Sequence, residues 1–243
     1  MGIFQEELIR TLHNVFYKYL ERKEEKYLIR GERVRLVRGT ITSVAHFFED
    51  EIGRILYKVL APDYSILVDY PISFPGKNNR ITPDILIIRD KTIIMILELK
   101  IDLGYEQINW REKRAEVLSK ISSFKNEMYY KEVINGKKES SKLSAIDNVP
   151  YGTIILSQKN GGIKSRDIIN ECVEKKCHSG EIVPYFHLLQ DKSWHPNDFI
   201  STEQVDQYFN ELINDYLDNE MQDAITQDWK RLENFLRKHL EFQ

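Results

Sequence analysis

Asp84, Glu98 and Lys100 are charged side chains set inside ITPDILIIRDKTIIMILELK, residues 81–100, where most neighbours are aliphatic. Burying such groups is costly unless they are paired or bind something. Alternate side chains of an extended strand share a face, so Glu98 and Lys100 project together. Asp84 and Glu98 lie seven residues either side of Lys91. A hairpin centred there sets them opposite each other, with Cβ atoms roughly 5 Å apart. Two carboxylates that close repel unless a proton or a cation sits between them. Hard oxygen donors of this kind suit Mg²⁺, which takes one or two carboxylates and keeps several waters. A lysine beside the pair can orient a water and help deprotonate it, or offset charge building on a phosphate. The set suits hydrolysis of a phosphodiester. Its alternative is a buried ion-pair cluster without metal, an arrangement that seldom stabilises a fold better than apolar residues do.

The elements that must hold these residues follow from periodicity. Phe4, Leu8, Leu12, Val15, Phe16, Tyr19 and Leu20 predict an amphipathic helix within residues 4–30, followed by an extended or turn piece around Gly31–Gly39. Val44, Phe48, Ile52, Ile55, Leu56 and Val59 predict a second helix that Pro62 stops. YSILVDYPISF then reads as a strand, PGKNN as a turn, and RITPDILII and TIIMILELKI as two strands joined across Arg89–Lys91. The last two are apolar on both faces, as in strands covered on each side by helices. Helical spacing returns over 105–128 through Trp110, Val117, Leu118, Ile121 and Phe124. KEVINGKKESSKLSAIDN reads as a polar connection, followed by a strand (YGTIILSQ), a helix (SRDIINECVEKK), a strand (EIVPYFHLL) and two helices within 201–240. The resulting order predicts an α/β fold with a mixed central sheet.

Pro83–Asp84, thirteen intervening residues and then Glu98–Leu99–Lys100, each group in its own strand of a hairpin, resembles the PD-(D/E)XK nuclease superfamily, which includes many restriction endonucleases and Holliday-junction resolvases. The likeness covers roughly residues 40–190, where the element order matches the family's helix, three strands, helix, strand core. It implies a restriction-endonuclease-like core at 40–200, with a mixed central β-sheet flanked by helices. Residues 1–39 then form an N-terminal helical arm, and 201–243 a C-terminal helical extension packed on the core or at a subunit interface. It further implies that Asp84 and Glu98 hold Mg²⁺, with Mn²⁺ as a substitute, that Lys100 assists the attacking water, and that the substrate is DNA, with RNA as the alternative. A homodimer follows by analogy, since cutting both strands usually needs two active sites. The tripeptide D/E-x-K by itself is a weak signal: it occurs at Glu21, Glu24, Glu98, Glu174 and Asp228. Only the copy at Glu98 lies inside an apolar strand, and the other Pro-Asp pair, Pro62–Asp63, falls in a loop after a helix.

Members of the superfamily often add a carboxylate from the helix before the first strand. Glu49 and Glu51 each lie about 80° from the centre of that helix's apolar face. The family's spacing of apolar residues, here Ile52 and Leu56, favours Glu49 as a third metal ligand and leaves Glu51 as the substitute. Either glutamate also reads as a solvent-facing helix rim.

Other candidates are weaker. Arg111, Lys113, Arg114, Lys120 and Lys125 follow the active strand and suit phosphate contacts, but interleaved Glu112 and Glu116 suit a solvated face equally. Gln107, near the start of that helix, is a further candidate for the metal site. Cys172, Cys177, His178, His187 and His195 are zinc-ligand types without a paired C-x-x-C knuckle, and two thiols suit a reducing compartment. Net charge is −3, with nine acidic residues and no Lys or Arg between Asp198 and Asp228, whereas Arg10–Arg38 is rich in basic residues. A polyanion would be repelled by the first stretch and tolerated by the second. No apolar run approaches the ~20 residues that span a bilayer, and MGIFQEELIR lacks the pattern of a secretory signal; a cytoplasmic protein is expected. Two readings without catalysis stand beside the nuclease: a binding module on the same fold, and an interaction protein built on the acidic C-terminal helices.

Overall fold

Five helices and nine strands are present in the computed structural model, which describes residues 2–27, 44–102, 110–134, 137–157, 185–189, 195–218 and 224–243. They are α1 (Ile3–Tyr27), α2 (Ala45–Val59), β1 (Tyr64–Val68), β2 (Ile72–Ser73), β3 (Arg80–Ile81), β4 (Ile85–Arg89), β5 (Thr92–Lys100), α3 (Trp110–Ser123), β6 (Met128–Ile134), β7 (Lys137–Ala145), β8 (Tyr151–Ser157), β9 (Tyr185–Leu189), α4 (Thr202–Asp218) and α5 (Ala224–His239). The chain is an α/β protein with a mixed open sheet. No helix among the described residues is long and apolar enough to cross a membrane.

Three of the nine strands, β1–β4–β5, form an antiparallel run. From β5 the sheet continues in parallel through β8 to β9. A branch leaves the other end of β5 through β7, β6, β2 and β3. Helices cover one face: α1 buries Leu8, Leu12, Val15 and Phe16, and α2 buries Phe48, Ile52, Ile55 and Leu56, in one cluster with Ile85, Ile87, Met95, Leu97 and Leu99. The predicted apolar stripes of both helices are the buried ones. The opposite face of the same strands, Leu86, Ile88, Ile93 and Ile96, packs with Ile121 of α3 and with Met128, Tyr130 and Leu143 of the β6–β7 hairpin. Apolar residues on both faces of β4 and β5 are thus explained by cover on both sides.

The C-terminal helices join the first face. Phe209 of α4 meets the Phe16 ring edge-on at 5.4 Å, and Trp229, Leu232 and Leu236 of α5 belong to the same cluster. The chain end is tied back to the end of α2, where Leu60 bridges Phe242 and the Gln243 N–H donates to the Val59 carbonyl at 3.0 Å. Gly53 seats α2 on the sheet, since a Cβ there would stand 2.7 Å from Val68 Cγ2.

Four predicted elements differ. YSILVDYPISF is two strands, β1 and β2, broken where Asp69 takes a left-handed φ of 47° and Pro71 follows. RITPDILII is likewise split at Pro83, which lacks the N–H a ladder requires. The predicted polar connection after Lys131 is largely the β6–β7 hairpin, in register from Met128↔Leu143 to Ile134↔Lys137. Tyr129 on the exposed face and Ser141 beside Met128, Tyr130 and Leu143 on the buried one mask the alternation. In the sequence, Asn135–Gly136 is the dipeptide that most favours a two-residue hairpin. The helix predicted over 105–128 spans Trp110–Ser123 among the described residues, with Met128 already in β6. The helix predicted at SRDIINECVEKK lies outside them.

Candidate active site

The β4–β5 hairpin turns at Asp90 and Lys91, with φ of 50° and 60°, the pair of left-handed residues a type I′ connection requires. Arg89 pairs with Thr92 and Ile88 with Ile93. Continued without interruption, that ladder would set Asp84 against Leu97 and leave Glu98 on the other face. The register shifts between Ile87 and Ile88, so Ile87 pairs with Met95, Leu86 with Ile96 and Ile85 with Leu97. Ile94 is the extra residue of a β-bulge. One step beyond the last pair, Asp84 faces Glu98.

Their side chains are each mostly buried, with exposures of 20% for Asp84, 24% for Glu98 and 20% for Lys100. Lys100 Nζ donates to Glu98 Oε1 at 2.6 Å and stands 4.0 Å from Asp84 Oδ2. The Leu99 N–H donates to Asp84 Oδ2 at 2.6 Å, and the Asp69 N–H donates to the Asp84 carbonyl at 2.8 Å. Asp84 is therefore held at both its backbone and its carboxylate. Burial, followed by the negative charge of Glu98, pushes its pKa up to about 7, against the opposing pull of the Leu99 N–H and the Lys100 ammonium.

Tyr151 completes the group. Parallel pairing sets Tyr151 beside Ile96 and Thr153 beside Glu98, and the Tyr151 hydroxyl donates to Glu98 Oε2 at 3.2 Å. Burial, then the Glu98 charge, raises the phenol's pKa, so it remains a donor. The Arg114 guanidinium lies 5.4 Å from the centre of the Tyr151 ring, and its buried Nε has no hydrogen-bond partner among the described residues. Sequence reasoning does not single out Tyr151: its relation to Glu98 depends on a parallel strand pair separated by about fifty residues, which no local pattern encodes.

Glu49 is buried on α2, 3.1 Å from His46 Nδ1, and near enough to Asp84 for its charge to raise that residue's pKa further. Glu51 turns elsewhere: it pairs with Arg54 at 2.6 Å and accepts from Asn14 of α1. Among the described residues no three or more His, Cys, Asp or Glu side chains form a group able to hold a metal ion. The convergent donors are the two carboxylates, Asp84 and Glu98. Two are what Mg²⁺ commonly takes from a protein.

Of the basic residues after β5, Arg114 approaches the group. Lys120 pairs with Glu116 at 2.7 Å and Lys125 with Asp147 at 2.6 Å. Gln107 and the side chains of Arg111 and Lys113 lie outside the described residues, as do Cys172, Cys177 and His178. The two downstream histidines are buried apart: His195 pairs with Asp102 at 3.3 Å, while the His187 N–H donates to Asp228 and burial pushes the imidazole pKa down to about 4. Comparison of the chain with protein-family models, with curated proteins and with solved structures finds no match.

Proposed function

We propose that the chain is a Mg²⁺-dependent nuclease of the PD-(D/E)XK type that hydrolyses DNA phosphodiester bonds with an activated water. The observation that carries this reading is the convergence of Asp84, Glu98 and Lys100 on one face of the sheet, across the bulge at Ile94. The strand order β1–β4–β5–β8–β9, antiparallel and then parallel, with α2 before the antiparallel run and α3 after it, agrees with the restriction-endonuclease-like core the motif implies.

Asp84 and Glu98 would hold the metal, with Glu49 adding negative charge behind Asp84. When bound, Mg²⁺ supplies Lewis acidity toward the phosphate and a lowered pKa for the attacking water. The protein groups do the rest. The Leu99 N–H and the Tyr151 hydroxyl fix the two carboxylates by one hydrogen bond each. Lys100, whose ammonium already lies beside both acids, orients the water and offsets charge on the phosphate as it becomes five-coordinate. Arg114 offers a guanidinium on the Tyr151 side of the group.

Plasmid, single-stranded DNA and RNA incubated in parallel with the purified protein test the reading. Cleavage of DNA with Mg²⁺ or Mn²⁺, its loss with EDTA, and its loss in folded Asp84→Ala and Lys100→Ala variants are the expected results. Activity indifferent to either substitution refutes it. Cleavage of RNA alone transfers the mechanism to an RNA substrate.

A further inference from the structure

The branch of the sheet built from β7, β6, β2 and β3 turns its outer face to solvent with an uncommon composition. Lys142 pairs with Tyr129, Tyr129 with Ser73, and Ser73 with Arg80. The four residues therefore form one row across four strands, and all four are exposed. Lys131, exposed two residues beyond Tyr129, shares that face, and Lys77 is exposed in the turn between β2 and β3. None of Lys77, Arg80, Lys131 and Lys142 has an ion-pair partner among the described residues. Lys58, Lys120 and Lys125, on other surfaces, each meet a carboxylate. Tyr129 is one of four large hydrophobic side chains exposed among the described residues, at 42%.

We infer that this face is a binding platform for a single-stranded segment of nucleic acid. Cations without partners in a row favour a polyanion, and an exposed aromatic ring between them offers a base a surface on which to stack. A duplex keeps its bases stacked on one another and has no use for that ring. Strand spacing of about 4.8 Å makes the row about 14 Å long, the length of roughly four stacked nucleotides at about 3.4 Å each. Arg80 is four residues before Asp84, a distance that extended chain spans in at most about 14 Å. The Arg80 end of the row therefore lies within about 14 Å of Asp84. This names a substrate class for the site proposed above, and it rests on that reading for the strand's path to cleavage, though not for binding.

The test uses the full chain carrying Asp84→Asn, which silences turnover, and fluorescence anisotropy with a labelled single strand of about 20 nucleotides, longer than the site of one such groove, and with its duplex. Arg80→Glu combined with Lys142→Glu should weaken single-strand binding at least tenfold. It should also reduce the slope of log affinity against log salt by about 1.4, or about 0.7 for each phosphate no longer neutralised. Tyr129→Ala should weaken single-strand binding by roughly 5- to 150-fold while leaving the duplex unaffected. If the double reversal melts early, Arg80→Ala and Lys142→Ala taken singly provide the same slope measurement. Unchanged affinity and slope in folded variants overturn the inference, as does an equal loss for duplex on Tyr129→Ala, or failure of the Asp84→Asn protein to bind any single strand. A wild-type protein that binds the strand with Mg²⁺ and leaves it uncut overturns the nuclease reading while the platform stands.

Discussion

Ile94 and Met95, consecutive in β5, pack their side chains against the same face of the sheet, and this break in alternation is what leaves Asp84 facing Glu98. The two-residue turn at Asp90–Lys91 and the thirteen-residue spacing of the motif are incompatible in a regular ladder. The bulge reconciles them, at the cost of one unpaired residue.

Deleting Ile94 should therefore preserve the site. Every pair from Ile87↔Met95 outward survives the deletion, and the loss of one partly buried side chain should cost about 1–3 kcal/mol. Inserting one alanine after Ile94 instead moves Glu98 and Lys100 to the face opposite Asp84. Cleavage rates alongside urea melts should show the deletion variant active and the insertion variant folded but inactive; equal behaviour of the two would contradict the register.

The raised pKa of Asp84 makes stability depend on pH. Its proton is held more tightly in the folded chain than in the unfolded one, so this contribution is complete below about pH 4 and is lost as pH rises toward 7. At about 1.4 kcal/mol per unit the loss is at most about 4 kcal/mol. Metal-free protein should lose stability between about pH 4 and 7, and Asp84→Asn should flatten that slope. Mg²⁺ at about pH 8 should raise the wild-type Tm, by about 2.7 kcal/mol of stabilisation at a hundredfold excess over Kd, and leave that of Asp84→Asn in place. Thermal melts across pH, with and without Mg²⁺, decide the matter.

Tyr151→Phe removes one hydrogen bond to Glu98 and keeps the ring beneath Arg114. Stability should fall by about 1 kcal/mol and the cleavage rate by about tenfold. Tyr151→Ala also empties a buried site and should cost about 3 kcal/mol or more. A Phe variant with wild-type turnover would remove the hydroxyl from the mechanism.

Gly53→Ala sets two effects against each other. Alanine gains about 1 kcal/mol of helix propensity, yet its Cβ falls 2.7 Å from Val68 Cγ2, an overlap worth about 1–3 kcal/mol. We expect a net loss in denaturant midpoint. Because α2 carries Glu49 one turn earlier, a smaller rise in the pKa of Asp84 should accompany it, read from the shifted pH dependence of stability.

Much is legible where the information is local. The stripe from Val44 to Val59 announces α2, Pro62 its end, and the alternation through Ile85–Lys100 the central hairpin with its three charged residues. Asp84 opposite Glu98 follows from a centre at Lys91, although the structure reaches that register through a two-residue turn and a bulge rather than a symmetric loop. The β6–β7 hairpin reads as a polar connection because Tyr129 stands on its exposed face and Ser141 on its buried one, which blurs the alternation. Glu49 and Glu51, equally placed on a helical wheel, are separated by what each meets: His46 and the field at Asp84 for one, Arg54 and Asn14 for the other.

By itself, then, the sequence determined the helices, the central strands and the three charges on them, because side-chain periodicity and turn chemistry act over a few residues. Tertiary structure alone decided that β8 lies parallel to β5 and hands Tyr151 to Glu98, that Ile94 bulges, and that Lys142, Tyr129 and Arg80 align across separate strands. Those relationships join residues up to about sixty positions apart, and they are set by which apolar faces can be covered at the same time, a condition that only the packed chain satisfies.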